Sequence, residues 1–203
     1  MPVTTGSTSN NTESYDKVLS VDNSRNISNE HLLRFTAYNG RYRTMTITRF
    51  NIRVYLLIFN EANTRILLSD EIINGEFITK FPGGGLEYGE GILDCLHREA
   101  IEELGQEVEV IEQYYTTERF QTSMFRSEEQ IICVYYRCLL AKDNAGKRRP
   151  RFRVAEKKFD FVEFREREES FRWQAIESLV PKDFSLPLDQ QIAARLSLNC
   201  ERK

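Results

Sequence analysis

The clearest periodicity in the chain runs from Ile52 to Phe59. Ile52, Val54, Leu56 and Ile58 fall on one face of an extended strand, and Arg53, Tyr55, Leu57 and Phe59 on the other. Asn60-Glu61-Ala62-Asn63 reads as a turn and Arg65–Ser69 as the returning strand. Phe77–Phe81 predicts a short strand that runs into Pro82 and the glycines Gly83, Gly84 and Gly85. The period then changes. Leu93, Leu96 or His97, Ala100 and Leu104 recur at helical spacing, predicting a helix from Gly91 to Leu104 with Gly105 at the left-handed C-cap. Strands are expected at Val108–Thr117, Ile131–Leu140 and Phe159–Phe164, and a final amphipathic helix at Leu188–Leu198. Strands on both sides of a central helix, with a second helix at the end, predict an α/β fold with a mixed β-sheet.

The opening of the chain has no such pattern. Ser, Thr and Asn crowd it, and it cannot bury enough apolar surface to offset its ordering entropy, so residues 1–35 are expected to be a flexible polar N-terminal tail before a domain at 36–203. At 203 residues the chain is long enough for one well-buried domain, and its net charge of −3 gives no whole-chain nucleic-acid signature. No apolar stretch approaches membrane-spanning length and no signal-peptide core is visible, which points to the cytoplasm. Cys95, Cys133, Cys138 and Cys200 form no C-x-x-C pair, and Cys133 and Cys138 fall on opposite faces of one strand. Free thiols are therefore expected rather than a disulfide frame or a zinc site. The basic stretch Lys147–Arg153 is read first as a solvated loop and only second as a nucleic-acid contact. His97 is expected at the helix surface and Trp173 in the core. Tyr88, Phe120 and Phe125 suit either packing or stacking on a base.

One run carries the chemistry. Glu99 and Glu103 are four apart on the predicted helix and Glu102 is three from Glu99, so their carboxylates project to one side and repel unless a cation lies among them. A multivalent cation beside a glycine turn is a place to hold a diphosphate. Bound Mg²⁺ or Mn²⁺ neutralises such a group and lowers the pKa of a coordinated water, and hard oxygen ligands suit these ions.

The run from Gly84 through Glu90, Arg98-Glu99, Glu102-Glu103 and Gly105 resembles the signature of the Nudix hydrolases, G-x5-E-x7-R-E-U-x-E-E-x-G-U, where U is a bulky aliphatic residue. Every charged and glycine position is filled. Ala100 is small and Gln106 polar where aliphatic residues are the pattern. The resemblance implies a Nudix-type α/β/α sandwich. It also implies hydrolysis of the diphosphate bond in a nucleoside diphosphate linked to another moiety, by attack of water on phosphorus with Mg²⁺ or Mn²⁺ as cofactor. Carried over by position, Glu99 and Glu103 would coordinate metal, Glu102 would join directly or through water, and a carbonyl at Gly83 or Gly84 would add a ligand. Glu90 and Arg98 would buttress the turn, with Gly105 closing the helix. Lys80, Gly84 and Gly85 would meet the substrate. The general base is either Glu103 or, on a later loop, Glu168, one of the acids in Glu166-Arg167-Glu168-Glu169.

The partner implied is a small-molecule nucleoside diphosphate derivative, with no membrane or nucleic acid, and a homodimer is compatible with the family. Nucleoside triphosphates and sugar nucleotides are the alternative substrates. A non-catalytic Nudix-like nucleotide- or nucleic-acid-binding regulatory module is the alternative of another class. Phe120–Met124, where family members carry a selectivity-setting proline or tyrosine, holds neither.

Overall fold

The computed structural model describes residues 31–36 and 42–200. The chain divides into two units after Ile47. In the first, β1 (His31–Thr36) and β2 (Tyr42–Ile47) pair antiparallel, with His31 opposite Ile47. Of the expected tail, residues 1–30 lie outside the described residues and 31–35 belong to β1.

The second unit runs β3 (Arg49–Phe59), β4 (Arg65–Ile73), β5 (Glu76–Lys80), β6 (Gly83–Gly85), α1 (Ile92–Leu104), β7 (Val108–Thr116), β8 (Glu129–Leu140), β9 (Glu169–Ala175) and α2 (Pro187–Cys200). Its seven-stranded sheet follows the order β5-β4-β3-β8-β7, with β6 added to β3 and β9 to β4. β3 and β8 are parallel from Arg49 opposite Glu129 to Phe59 opposite Leu139, and the other pairs are antiparallel, so the sheet is mixed.

The alternation in β3 divides the core as expected. Tyr55, Leu57 and Phe59 join Ile192, Ala193 and Leu196 of α2 on one face. Val54, Leu56 and Ile58 join Cys95, Leu96, Ala100 and Leu104 of α1 on the other. A helix therefore covers each side of the sheet, the α/β/α sandwich. Trp173 packs against the α1 side. Cys133 and Cys138 enter opposite cores, and Cys95, Cys133 and Cys138 are free; the side chain of Cys200 lies outside the described residues.

Two local expectations fail. Leu93 belongs to the expected buried stripe of α1 but is about half exposed; the buried face of the helix is centred instead on Cys95, Leu96, Glu99, Ala100 and Leu104. Phe159–Phe164 forms no strand. Phe159 takes φ 58°, which no strand tolerates, and the rings of Phe159, Phe161 and Phe164 gather on Phe77 of β5 instead. The apolar run there reflects an aromatic cluster, not a sheet face.

One buried acid ties α2 to the sheet. Asp189 accepts a hydrogen bond from the Tyr135 hydroxyl (2.7 Å) and another from the Phe81 backbone N–H (3.1 Å). Burial pushes its pKa up from the ordinary 3.8 to about 6. A folded value above the unfolded one means that the contribution is complete in acid and is lost as pH rises through about 6. Asp189→Asn leaves one of the two donors facing an amide N–H and is expected to cost about 1–3 kcal/mol. Urea unfolding at acid and neutral pH should find the gap to wild type widest in acid.

Candidate active site

The glycine turn is held from below and from behind. β6 pairs with β3, placing Gly83 opposite Tyr55, Gly84 opposite Val54 and Gly85 opposite Arg53. Gly83 has φ 128°, and a Cβ there would lie 2.2 Å from the Val54 carbonyl oxygen, so no side chain fits without moving backbone. At Gly84 the obstacle is functional: a Cβ would lie 2.2 Å from Oε1 of Glu99. The turn thus approaches the α1 carboxylate as closely as a backbone can. Because the clash is with the end of a side chain, Gly84→Ala is expected to fold but to displace Glu99. Roughly a hundredfold loss of turnover should follow, with the melting temperature nearly kept.

α1 runs from Ile92 to Leu104 and is capped by Gly105, which takes a left-handed φ of 61° and donates its N–H to the Ile101 carbonyl. Arg98 organises the near side. Its Nε and Nη2 grip both oxygens of Glu90 (3.0 and 2.7 Å), Nη2 also donates to the Gly85 carbonyl (2.9 Å), and Nη1 donates to Glu99 (2.8 Å) and Glu102 (3.0 Å). The fork holds Glu90 well below the usual carboxylate range. Glu99 is buried, and desolvation raises its pKa against the pull of Arg98. Glu102 is more than half exposed.

The far side is built around Lys80. Its buried ammonium lies 3.0 Å from Glu103 Oε1, 3.3 Å from Glu71, 3.5 Å from Glu169 and 3.2 Å from the Gly83 carbonyl. Burial alone would lower the lysine pKa, but these carboxylates outweigh it and hold the ammonium charged. Glu103 Oε2 accepts the Gly83 N–H at 2.8 Å. Burial, and then the charge of Glu103, push Glu169 upward. Glu71 and Glu169 meet because β4 pairs with β9 in a register that sets them opposite each other.

These elements wall a cavity of about 540 Å³ that reaches from Glu99, Glu103, Gly83 and Gly84 past Arg53 and Tyr55 to Gln121–Arg126 and to Leu186–Asp189 at the start of α2. Of the residues singled out from sequence, Lys80, Gly83, Gly84, Glu99 and Glu103 line it. Gly85 turns its carbonyl to Arg98, and Glu90, Arg98 and Gly105 stand behind it. Glu168 does not face it: its carboxylate takes the Arg165 Nε at 2.7 Å. Phe125 lines the cavity, whereas Tyr88 and His97 are exposed elsewhere. Glu71, Arg53 and Asp189 carry no functional signal in the sequence beyond the charged pair Asp70-Glu71 inside a strand, and Glu169, named there only beside Glu168 among the loop acids, is the one of that run that reaches Lys80.

The basic loop is tethered. Gln106, the polar departure from the motif, is buried, donates to the Arg149 carbonyl (3.0 Å) and accepts the Arg151 N–H (2.9 Å). Arg148 pairs with Glu109 and donates to the Leu140 carbonyl (2.7 Å), and Arg153 pairs with Asp160 (2.6 Å).

Among the described residues no group of three or more His, Cys, Asp or Glu side chains is arranged as a ready metal site. Each motif carboxylate instead holds an internal cation, Arg98 or Lys80. The donors still fit a hard divalent ion: they are carboxylate oxygens one turn apart, Glu99 buried and Glu103 partly so, with a glycine backbone brought against Glu99.

A family model described as NUDIX domain matches residues 49–194. Two curated proteins named RNA pyrophosphohydrolase, from Helicobacter pylori strains G27 and HPAG1, are 37% identical to the chain over 67 residues, 32% of the chain and 43% of each relative. The chain thus spans less than half the length of the curated relatives that it matches. A solved NUDIX hydrolase from Nitrosomonas europaea superposes with a TM-score of 0.52 at 19% identity, over 72% of this chain and 86% of that one. A MutT NUDIX hydrolase from Burkholderia pseudomallei gives 0.52 at 20% identity, over 73% and 98%. At these identities the structures speak for the fold.

Proposed function

The chain belongs to the NUDIX family, and on that premise we propose that it is a diphosphatase that cleaves the bond between two phosphates of a nucleoside diphosphate derivative by attack of water on phosphorus. The observation that carries the reading is the seating of Glu99 and Glu103 directly behind a glycine turn that leaves no room for a Cβ. Glu99 and Glu103, with Glu102 and a carbonyl of Gly83 or Gly84, would hold Mg²⁺ or Mn²⁺, which when bound supplies charge neutralisation to the diphosphate and acidity to a water.

The remaining chemistry belongs to the chain. Arg98 orients Glu99 and keeps the turn against α1 through its bond to the Gly85 carbonyl. Lys80 and the Gly83 N–H fix both oxygens of Glu103, so this carboxylate stays aimed at the turn. Of the two glutamates considered as general base, Glu103 stands in the cavity wall, whereas Glu168 would first have to leave Arg165. We therefore assign the proton to Glu103.

The test is a panel of ADP-ribose, nucleoside triphosphates, sugar nucleotides, dinucleoside polyphosphates, NADH, coenzyme A and, because of the curated relatives, a 5′-triphosphorylated RNA. Each is incubated with Mg²⁺ or Mn²⁺. Divalent-dependent cleavage of at least one member is the expected outcome. Failure of every member would favour the non-catalytic nucleotide-binding alternative.

A further inference from the structure

Four cations line the cavity: Arg53, Lys80, Arg126 and Arg167. Lys80 is saturated by Glu71, Glu103 and Glu169, and Arg126 pairs with Glu129 at 3.3 Å. Arg53 and Arg167 form no ion pair among the described residues. Arg167 is exposed, so water solvates it, but Arg53 is partly buried. The acids that line the same cavity are already engaged: Glu99 by Arg98, Glu129 by Asn51 and Arg126, and Asp189 by Tyr135 and the Phe81 N–H. No carboxylate contacts this partly desolvated guanidinium; the charge of Glu99 acts on it only from beyond ion-pair distance, so its donors stay open to a ligand anion.

Its orientation is fixed. Nε donates to the Tyr55 hydroxyl at 2.8 Å, and the guanidinium carbon lies 5.6 Å from that ring's centroid. The Tyr55 ring stacks on Tyr135 at 5.1 Å and 23°, and the Tyr135 hydroxyl is anchored on Asp189. Among the described residues no acceptor meets Nη1 or Nη2. The fork stands over the glycine turn, since Arg53 is opposite Gly85 in the sheet and a Cβ on Gly85 would be 4.0 Å from Nη1. Two free N–H groups in one plane match two oxygens of a phosphoryl group, and a fork already held by a tyrosine loses little entropy on binding.

We infer that Arg53 binds a phosphoryl group of the substrate, the one adjoining the phosphate presented to Glu99 and Glu103. The cavity is thereby selective for a chain of at least two phosphates over a carboxylate of similar size. The inference rests on the diphosphatase reading but does not share its test. The probe is methylenediphosphonate, which cannot be hydrolysed, titrated calorimetrically into the Mg²⁺-loaded full chain with malonate as the carboxylate control. Arg53→Met is expected to weaken diphosphonate binding about ten- to a hundredfold, the worth of a charged hydrogen bond. Arg53→Lys, which keeps the charge and loses the fork, should fall between. With any substrate that is turned over, Arg53→Met should raise KM by a similar factor and leave kcat within a few-fold. If Arg53→Met melts early, Arg53→Lys carries the comparison alone. Unchanged diphosphonate affinity and KM in the variants, no diphosphonate binding by wild type, or malonate binding as tight as diphosphonate would each overturn the inference. Cleavage with an unaltered KM would do so while leaving the hydrolase reading intact. Arg53-dependent diphosphonate binding without turnover of any substrate would do the reverse.

Discussion

Glu103→Gln is expected to lower kcat by about 10²–10⁴, the loss typical for a missing general base, and to leave the fold standing. The substitution keeps the shape and one acceptor for the Gly83 N–H, which now sits 2.8 Å from Oε2. It also leaves Lys80 with two carboxylates, Glu71 and Glu169. A loss of turnover therefore cannot be ascribed to an orphaned lysine. Steady-state kinetics beside a melting curve separate the two effects, and Glu168→Gln run in parallel should retain most activity, because that side chain faces Arg165. Equal kcat in Glu103→Gln and wild type would remove the proposed role.

The second large effect falls on stability. Lys80→Met removes the cation from a buried cluster of Glu71, Glu103 and Glu169 and is expected to destabilise the fold by about 3–5 kcal/mol at neutral pH, as when one partner of a buried ion pair is lost. The sign with pH is fixed by the groups involved. The folded pKa of Lys80 lies above its unfolded 10.5, so its contribution is complete at neutral pH and is lost only in strongly alkaline solution. Glu169, already raised by burial and by the charge of Glu103, loses the opposing charge of Lys80 in the variant, so stability falls as pH rises through its folded value and returns in acid, where it is protonated. Denaturant titrations should find the gap between variant and wild type wide above neutrality and narrow in mild acid. A gap independent of pH would show that lost packing, not lost charge, explains the change.

The parts legible in the sequence are those set by neighbours along the chain. The helix from Gly91 to Leu104, its Gly105 cap, the two faces of β3 and the Glu90–Arg98 spacing all follow from short-range periodicity, and α1 does run Ile92–Leu104 with that cap. What could not be read depends on strand pairing across long stretches of chain. Glu71 and Glu169 become neighbours only through the β4–β9 register, and Lys80 joins them only because β5 lies against β4. Nothing local marks Arg53 as lacking a carboxylate contact, because that follows from the partners its neighbours have taken. The aromatic run at Phe159–Phe164 misled for the opposite reason. Its β-forming residues are recruited by Phe77, and intrinsic strand preference yields to that contact.

Lys80 also changes meaning between sequence and structure. Its place before the glycines suggests a phosphate contact, yet its ammonium is surrounded by protein oxygens. On the proposed reading phosphate contact falls to Arg53 of β3, while Lys80 holds Glu103 in place.

The most direct test of water attack on phosphorus is isotopic. Any panel member that is cleaved is turned over in H₂¹⁸O, and the products are read by ³¹P NMR and mass spectrometry. The expected result is one ¹⁸O bonded to phosphorus in one phosphate product per cleavage, with formation abolished or strongly slowed in Glu103→Gln. Label on carbon, or the same labelled product formed at full rate by Glu103→Gln, would contradict the account.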